Sequence, residues 1–239
     1  MTRGVRAVLF DLGGTLYDYQ TLAVAEIESL VDLARWAGIT AEPPALQRAY
    51  QDALRRAFHA YLPRPFYLHR DLFRDAALGM VEAFGGRVAA DALQRYRVRQ
   101  WERHARDFTL RDGARTTLRA LRARGYQLGV VSNIDDDQLA HLAGMADLDA
   151  YFDWLLSSEA AGSCKPDPAI FHEALRRAAC RPGEALFVGD TLAQDIAGAN
   201  QVGMRSVLLW HREDRDPPAG MAPRPHYVIR RLPEILGLL

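Results

Sequence analysis

The chain has 239 residues, which is enough for one large domain or for one domain carrying a smaller insert. Its 30 Lys plus Arg residues equal its 30 Asp plus Glu residues, and this balance argues against a dedicated nucleic-acid binder and against a polybasic membrane anchor. No apolar run approaches the roughly 20 residues that cross a bilayer, and two cysteines leave no disulfide framework. We therefore expect a cytoplasmic protein with no nucleic-acid or membrane partner.

The first predicted element is a strand, Val5–Phe10, because a short and almost continuous apolar run is typical of a buried parallel strand. The next stretch, from about Tyr17 to Asp107, contains no convincing strand. It shows four amphipathic helical patterns separated by Gly or Pro. These are Thr21–Ala37, Ala45–Leu62, Leu68–Phe84 and Asp91–Arg106. The pattern predicts an all-helical insert after the first strand.

Beyond residue 107, predicted strands alternate with predicted helices. The strands are Leu128–Val131, Trp154–Leu156, Ala185–Val188 and Ser206–Leu209, and the helices are Ala114–Arg124, Asp137–Leu142, Pro168–Ala179 and Ala193–Ala199. A Pro-rich polar loop over residues 211–226 precedes a last strand, Tyr227–Ile229, and a terminal helix. The alternation of strands with helices predicts an α/β fold, a doubly wound parallel sheet with helices on both faces. We predict two domains, an α/β core of residues 1–16 and 107–239 and a helical domain of residues 17–106.

Polar motifs stand at or just beyond the ends of four predicted strands. They are Asp11-Leu12-Gly13-Gly14-Thr15, Ser132-Asn133, Ser157-Ser158 leading to Cys164-Lys165-Pro166, and Gly189-Asp190 with Asp195. Each motif alone is typical of a turn or a helix cap. Ligands of open α/β sheets bind outside the carboxyl ends of the strands. The order of these motifs on successive strands therefore predicts a binding or catalytic site at that edge.

In this order the motifs resemble those of the haloacid dehalogenase-like (HAD) superfamily. Phe10–Leu16 is similar to the first family motif, Asp-x-Asp-Gly-Thr-Leu, and Val130–Asn133, Lys165–Phe171 and Val188–Asp195 are similar to the second, third and fourth. The resemblance covers both ends of the chain, and over the helical insert it is only topological. It implies a Rossmann-like core, a helical cap domain and a Mg²⁺-dependent phosphatase acting on a small phosphorylated metabolite, and it leaves the oligomeric state open.

The resemblance also implies the roles of the acidic residues. Asp11 is the expected nucleophile, which attacks phosphorus and forms an aspartyl-phosphate. Mg²⁺ prefers oxygen ligands, and the expected ones are the carboxylates of Asp11 and Asp190 and the carbonyl oxygen of Gly13. Asp195 is expected to hold a metal-bound water or to orient the site.

The expected phosphate ligands are Thr15, Ser132, the amide of Asn133 and Lys165. Lys165 is the single lysine beside 29 arginines. It stands where a compact charge is needed between a carboxylate and a phosphate, and the wide planar fork of arginine is not equivalent there. We therefore predict a catalytic role for Lys165 as well.

The chain departs from the family pattern at Gly13. Family phosphatases carry a second Asp there, which protonates the leaving oxygen and then activates water. General acid–base catalysis contributes about 10²–10⁴-fold, so its loss leaves three hypotheses. The first is a phosphatase that needs less acid help or uses another group. The candidates are the neighbours Tyr17, Asp18 and Tyr19 and residues of the helical insert such as His59, His69 or Arg70.

The second hypothesis is a 2-haloacid dehalogenase, because a departing halide needs no proton. The resemblance argues against it, since those enzymes use no magnesium and this chain keeps Asp190 and Asp195. The third hypothesis is a weakly active or inactive protein that binds a phosphate ligand.

Overall fold

A computed structural model describes residues 4–211, 216–217 and 220–239, so the predicted loop over residues 211–226 lies partly outside the described residues. The chain divides into two compact units, an α/β unit (Met1–Asp18 with Thr109–Leu239) and a helical unit (Tyr19–Phe108). The chain passes from one unit to the other after Asp18 and again after Phe108, in each case two residues later than predicted. In the part that the structure describes, no helix is both long enough and apolar enough to cross a membrane.

The helical unit contains four helices preceded by a short 3₁₀ turn, Tyr19–Leu22. The helices are α1 (Ala23–Trp36), α2 (Pro43–Tyr61), α3 (His69–Ala83) and α4 (Ala90–Asp107). On α3, Leu72, Ala76 and Met80 recur at four-residue intervals and are fully buried, which is the pattern of an amphipathic helix with one apolar face. α3 packs against α2, and α1 packs against α4. Burial of a large apolar side chain such as Leu72 or Met80 stabilises the helical unit by about 1.5–3 kcal/mol.

The described residues of the α/β unit form a six-stranded parallel sheet. Its strands are β1 (Ala7–Phe10), β2 (Gln127–Ser132), β3 (Trp154–Ser157), β4 (Ala185–Gly189), β5 (Arg205–Leu209) and β6 (Tyr227–Ile229). Their order is β3-β2-β1-β4-β5-β6. Because the order reverses at β1, right-handed crossovers place helices on both faces of the sheet. The predicted α/β class with a doubly wound parallel sheet is confirmed.

The register of the sheet brings the predicted motifs to one edge. Phe10 at the end of β1 pairs with Val130 of β2 and with Val188 of β4. The backbone N–H of Asp11 then donates to the Val188 carbonyl at 2.9 Å. The residues that follow β1, β2 and β4 therefore emerge side by side, at the edge where open α/β sheets bind ligands.

The helices of the α/β unit lie close to the predicted segments, with two differences beside the candidate site. They are α5 (Ala114–Ala123), α6 (Asp136–Ala146), α7 (Ser158–Ala161), α8 (Pro168–Arg177) and α9 (Ala197–Gln201). The short α7 was not predicted, and it forms because the Ser157 hydroxyl accepts the Ala160 N–H at 2.8 Å and caps it.

The second difference is in the predicted helix Ala193–Ala199. The structure has one turn of π-helix there, Leu192–Ile196, followed by α9. The Ile196 N–H reaches the Thr191 carbonyl five residues back, and the Thr191 N–H donates to the Asp195 carboxylate at 3.0 Å. This wide turn directs Asp195 back toward the end of β4. At the C-terminus, the predicted helix is a 3₁₀ helix, Leu232–Gly237.

Candidate active site

Three acidic side chains meet at the carboxyl ends of β1 and β4. Asp11 follows β1, Asp190 follows β4, and Asp195 lies on the π turn after it. A carboxylate oxygen of each lies within 4.8 Å of the other two. Asp11 and Asp195 are buried and Asp190 is half-buried. The structure therefore brings together the three carboxylates predicted to form the metal site.

Lys165 joins two of these carboxylates. Its ammonium Nζ donates to Asp11 Oδ1 at 2.6 Å and to Asp195 Oδ1 at 2.7 Å, and its side chain is 1% exposed. Burial acts to lower the pKa of Lys165, but the two carboxylates outweigh burial and raise that pKa above its ordinary value. Lys165 therefore stays charged and fixes the direction of the Asp11 carboxylate.

The site carries more negative than positive charge, because three carboxylates face one ammonium. Burial, reinforced by repulsion from Asp11 and Asp195, raises the pKa of Asp190 to about 7. Burial is also the main reason that the pKa of Asp195 rises to about 6. A divalent cation among these oxygens would offset the repulsion, and Mg²⁺ takes oxygen ligands. The donor set therefore fits a magnesium ion.

Thr15 lies between two of the acidic side chains. Its Oγ1 is 3.1 Å from Asp11 Oδ2 and 3.4 Å from Asp190 Oδ1, so the single hydroxyl proton can be donated to one carboxylate at a time. Thr15 is fully buried. Gly13, whose carbonyl was predicted as a metal ligand, forms a β-bridge with Tyr17 in the same loop.

The two predicted phosphate ligands at the end of β2, Ser132 and Asn133, have different surroundings. Ser132 is buried and pairs with Ser157 of β3. The Asn133 side chain contacts the backbone of Lys165 twice, since its Oδ1 accepts the Lys165 N–H at 2.6 Å and its Nδ2 donates to the Lys165 carbonyl at 3.0 Å. The side chain of Asn133 therefore holds the Lys165 segment in place.

Gly14 allows the loop after β1 to approach Asp190 closely. Its φ is +81°, and a Cβ added there would fall 2.3 Å from Asp190 Oδ2. Only glycine adopts this backbone conformation readily, and only a residue without Cβ leaves room for the carboxylate. The loop and the end of β4 are therefore in direct contact.

Arg111 was not predicted as a site residue, although it binds the loop after β1. Its Nε and Nη2 donate to the Gly14 carbonyl at 3.0 and 2.9 Å, and its Nη1 donates to Asp18 Oδ2 at 2.9 Å. It is one of 29 arginines and belongs to no motif, so the sequence contains no signal that marks it.

The neighbours considered as substitutes for the missing acid are placed as follows. Tyr17 is buried in the α/β unit, where it bridges Gly13 and Leu110. Asp18 is held by Arg111 in the ion pair just described. Tyr19 belongs to the helical unit and is 60% exposed.

Comparison with known proteins gives consistent results. A model of the haloacid dehalogenase-like hydrolases matches residues 5–203. Haloacid dehalogenase-like hydrolase domain-containing protein 3 of Homo sapiens is 34% identical, over 89% of this chain and 86% of that protein. Glyceraldehyde 3-phosphate phosphatase of Pyrococcus furiosus is 30% identical, over 99% and 94%. Among solved structures, a HAD phosphatase from Thermococcus onnurineus superposes with a TM-score of 0.69 at 28% identity, covering 98% of this chain and 97% of that one.

Proposed function

The chain belongs to the haloacid dehalogenase-like hydrolases, and from this membership we propose that it is a Mg²⁺-dependent phosphatase for a small phosphorylated metabolite. The observation that carries the proposal is the buried cluster of Asp11, Asp190 and Asp195 against the single ammonium of Lys165. Such a cluster suits a divalent cation and, next to it, an anionic phosphoryl group. Relatives named as phosphatases support the reaction class.

In this proposal, Asp11 Oδ attacks phosphorus. The new O–P bond forms as the ester P–O bond breaks, and the leaving oxygen keeps the electron pair. Water then hydrolyses the aspartyl-phosphate and restores the carboxylate. Lys165 holds Asp11 Oδ1 at 2.6 Å, so the attacking carboxylate is already oriented.

The residues around Asp11 have the following roles in the proposal. Thr15, Ser132, the Asn133 amide and Lys165 bind the phosphoryl oxygens. Asp11, Asp190 and the Gly13 carbonyl hold Mg²⁺, with Asp195 beside them. A cation held there would neutralise charge on the phosphoryl oxygens. The helical unit acts as a cap domain, and its residues set the choice of metabolite.

Because Gly13 stands where family phosphatases carry an aspartate, no carboxyl group at this position can protonate the leaving oxygen. The enzyme is therefore expected to favour esters with good leaving groups. Gly13 does not have a positive φ, so an aspartate there needs no left-handed backbone conformation. Gly13→Asp is expected to raise kcat on an alkyl phosphate by up to about 10²-fold and to change the rate on p-nitrophenyl phosphate much less. If the two substrates respond equally, residue 13 does not face the leaving group.

The direct test is hydrolysis of p-nitrophenyl phosphate, whose leaving group needs little acid, in EDTA and in Mg²⁺. We expect turnover that requires Mg²⁺ and is lost in EDTA. A panel of triose, pentose and hexose phosphates then identifies the metabolite. Release of halide from a 2-haloacid without Mg²⁺ would replace this proposal by dehalogenation.

Gly13 also favours a second candidate function, binding of a phosphate ligand with little turnover, because only the proton-transfer group is missing. In that case p-nitrophenyl phosphate would not be hydrolysed in Mg²⁺, while inorganic phosphate and Mg²⁺ would still bind measurably by calorimetry.

A further inference from the structure

Arg111 makes four hydrogen bonds to the segment that follows β1. Two guanidinium N–H groups share the Gly14 carbonyl at 3.0 and 2.9 Å, and a third donates to Asp18 at 2.9 Å. Its backbone N–H donates to the Leu16 carbonyl at 2.8 Å. The Arg111 side chain is 18% exposed. The rigid fork of arginine suits such simultaneous contacts, and a lysine cannot reproduce them.

The carbonyl that Arg111 holds belongs to the residue that touches Asp190. A Cβ on Gly14 would lie 2.3 Å from Asp190 Oδ2, so a shift of Gly14 changes the space available to this carboxylate. Gly14 also stands between Gly13 and Thr15, and Thr15 contacts both Asp11 and Asp190. The position of Gly14 therefore affects the distances among the oxygens that are to bind a cation.

Arg122 of the same unit serves as a comparison, because its contacts lie outside the candidate active site. Its Nη1 donates to the Tyr151 carbonyl at 2.9 Å and to Asp153 Oδ1 at 3.2 Å, and its side chain is 42% exposed. Both arginines thus bind one carbonyl and one carboxylate. Only Arg111 binds a carbonyl in the loop of the candidate active site.

We propose that Arg111 is a positioning residue, which fixes the Gly14 carbonyl so that Asp11 and Asp190 keep the spacing required for a divalent cation. This inference rests on the proposed function, since it concerns the same cation site. Arg111 acts through the loop and touches neither the cation nor the substrate. Its substitution is therefore expected to weaken cation binding without changing the ligands.

The test compares Arg111→Gln with the matched control Arg122→Gln in the full chain. Mg²⁺ binding is measured by titration calorimetry without substrate, and the Mg²⁺ concentration for half-maximal hydrolysis of p-nitrophenyl phosphate is measured separately. Loss of a group that orients metal ligands typically weakens affinity by 10–100-fold. We expect the Kd of Arg111→Gln to rise about 10-fold or more and that of Arg122→Gln to stay close to the wild-type value.

Asp18→Asn and chemical rescue separate the Gly14 contact from the ion pair. Asp18→Asn keeps both bonds to the Gly14 carbonyl, so it is expected to raise the Kd less than Arg111→Gln does. Added guanidinium at millimolar concentration is expected to restore Mg²⁺ binding partly in Arg111→Ala, a result that a general loss of stability would not give.

The outcomes distinguish this inference from the proposed function. Wild-type protein that binds no Mg²⁺ overturns the proposed function. Wild-type protein that binds Mg²⁺, together with Arg111→Gln of equal affinity, overturns only the role of Arg111. If Arg111→Gln does not fold, Arg111→Lys decides, because lysine keeps the charge but cannot hold both acceptors. A Kd of Arg111→Lys above the wild-type value supports the proposal, and a Kd equal to the wild-type value overturns it.

Discussion

The α/β unit and the helical unit differ in what they enclose. Among the described residues, every buried acidic or lysine side chain lies in the α/β unit; they are Asp11, Asp135, Lys165, Glu184 and Asp195. The buried polar residues of the helical unit are Ser29 and His69, and its other buried side chains are apolar or tyrosine. Ion pairs of the helical unit such as Arg74 with Asp71 and Arg99 with Glu102 are exposed, and the pair of Arg103 with Asp32 is half-buried.

This contrast predicts that substitutions in the two units have different effects on activity and on stability. Enclosing a charge costs free energy unless partners offset it, and the α/β unit concentrates that cost at the carboxyl ends of β1 and β4. Exposed ion pairs contribute little, so the helical unit depends on apolar packing. Substitutions at the site should therefore change activity most, and substitutions of buried apolar residues in the helical unit should change stability alone. Four predictions follow this contrast, in order of decreasing effect on activity.

Asp11→Asn should have the largest effect. It removes the nucleophile, so kcat on p-nitrophenyl phosphate should fall by about 10⁴-fold or more. Lys165 keeps Asp195 as a partner, and one repelling carboxylate is gone. The midpoint of thermal unfolding should therefore shift by no more than about 4 °C. Persistent turnover would rule out Asp11 as the nucleophile.

Lys165→Met should reduce both activity and stability. It leaves Asp11, Asp190 and Asp195 without their ammonium, at a cost of about 3–5 kcal/mol, and kcat should fall by about 10²–10³-fold. Lys165→Arg is the matched control, which keeps the charge but not the compact shape. It should recover most of the stability and little of the activity. The measurements are thermal unfolding in EDTA and in Mg²⁺ together with kcat; full activity of Lys165→Arg would contradict the argument from shape.

Gly14→Ala should lower activity by about 10-fold or more, since a misplaced reacting group can cost about 10²-fold. Gly125→Ala is the control, because Gly125 has a φ of +82° and nothing within 4 Å of its added Cβ. Both variants carry about 1–3 kcal/mol of backbone strain, and only Gly14→Ala displaces Asp190. Equal kcat for the two variants would show that the close contact with Asp190 is unimportant.

Leu33→Ala should leave kcat almost unchanged, the smallest effect on activity. Leu33 of α1 is fully buried, so its truncation should cost about 2–5 kcal/mol of unfolding free energy. Leu62 is 41% exposed, and Leu62→Ala should cost far less. Denaturant unfolding and kcat at a temperature where both variants are folded check this. A large loss of kcat in folded Leu33→Ala would break the contrast between the units.

Much of the fold and of the candidate site could be predicted from patterns that repeat along the chain. The strands were expected from short apolar runs, and the candidate site from polar residues at their ends, because those features are local. The meeting of Asp11, Lys165 and Asp195 depends on the order of the strands in the sheet, whereas the roles expected of these residues come from the family resemblance. The predicted roles of these residues stay predictions.

Other features depend on contacts that no local pattern reveals. The π turn at Leu192–Ile196 forms where the Asp195 carboxylate binds the Thr191 N–H, and α7 forms where Ser157 caps it. Arg111 is indistinguishable from 28 other arginines until the fold places it beside the Gly14 carbonyl.

The β-bridge between Tyr17 and Leu110 has a consequence for how such proteins diversify. It holds the chain together on the α/β side, next to the two points where the chain leaves for Tyr19–Phe108 and returns. Because the ends of the insert are already adjacent, the loop-closure cost of a longer insert rises only slowly, by about 0.6 kcal/mol for each doubling of its length. Evolution can therefore lengthen, shorten or exchange the insert at this junction while β1 keeps its place in the sheet.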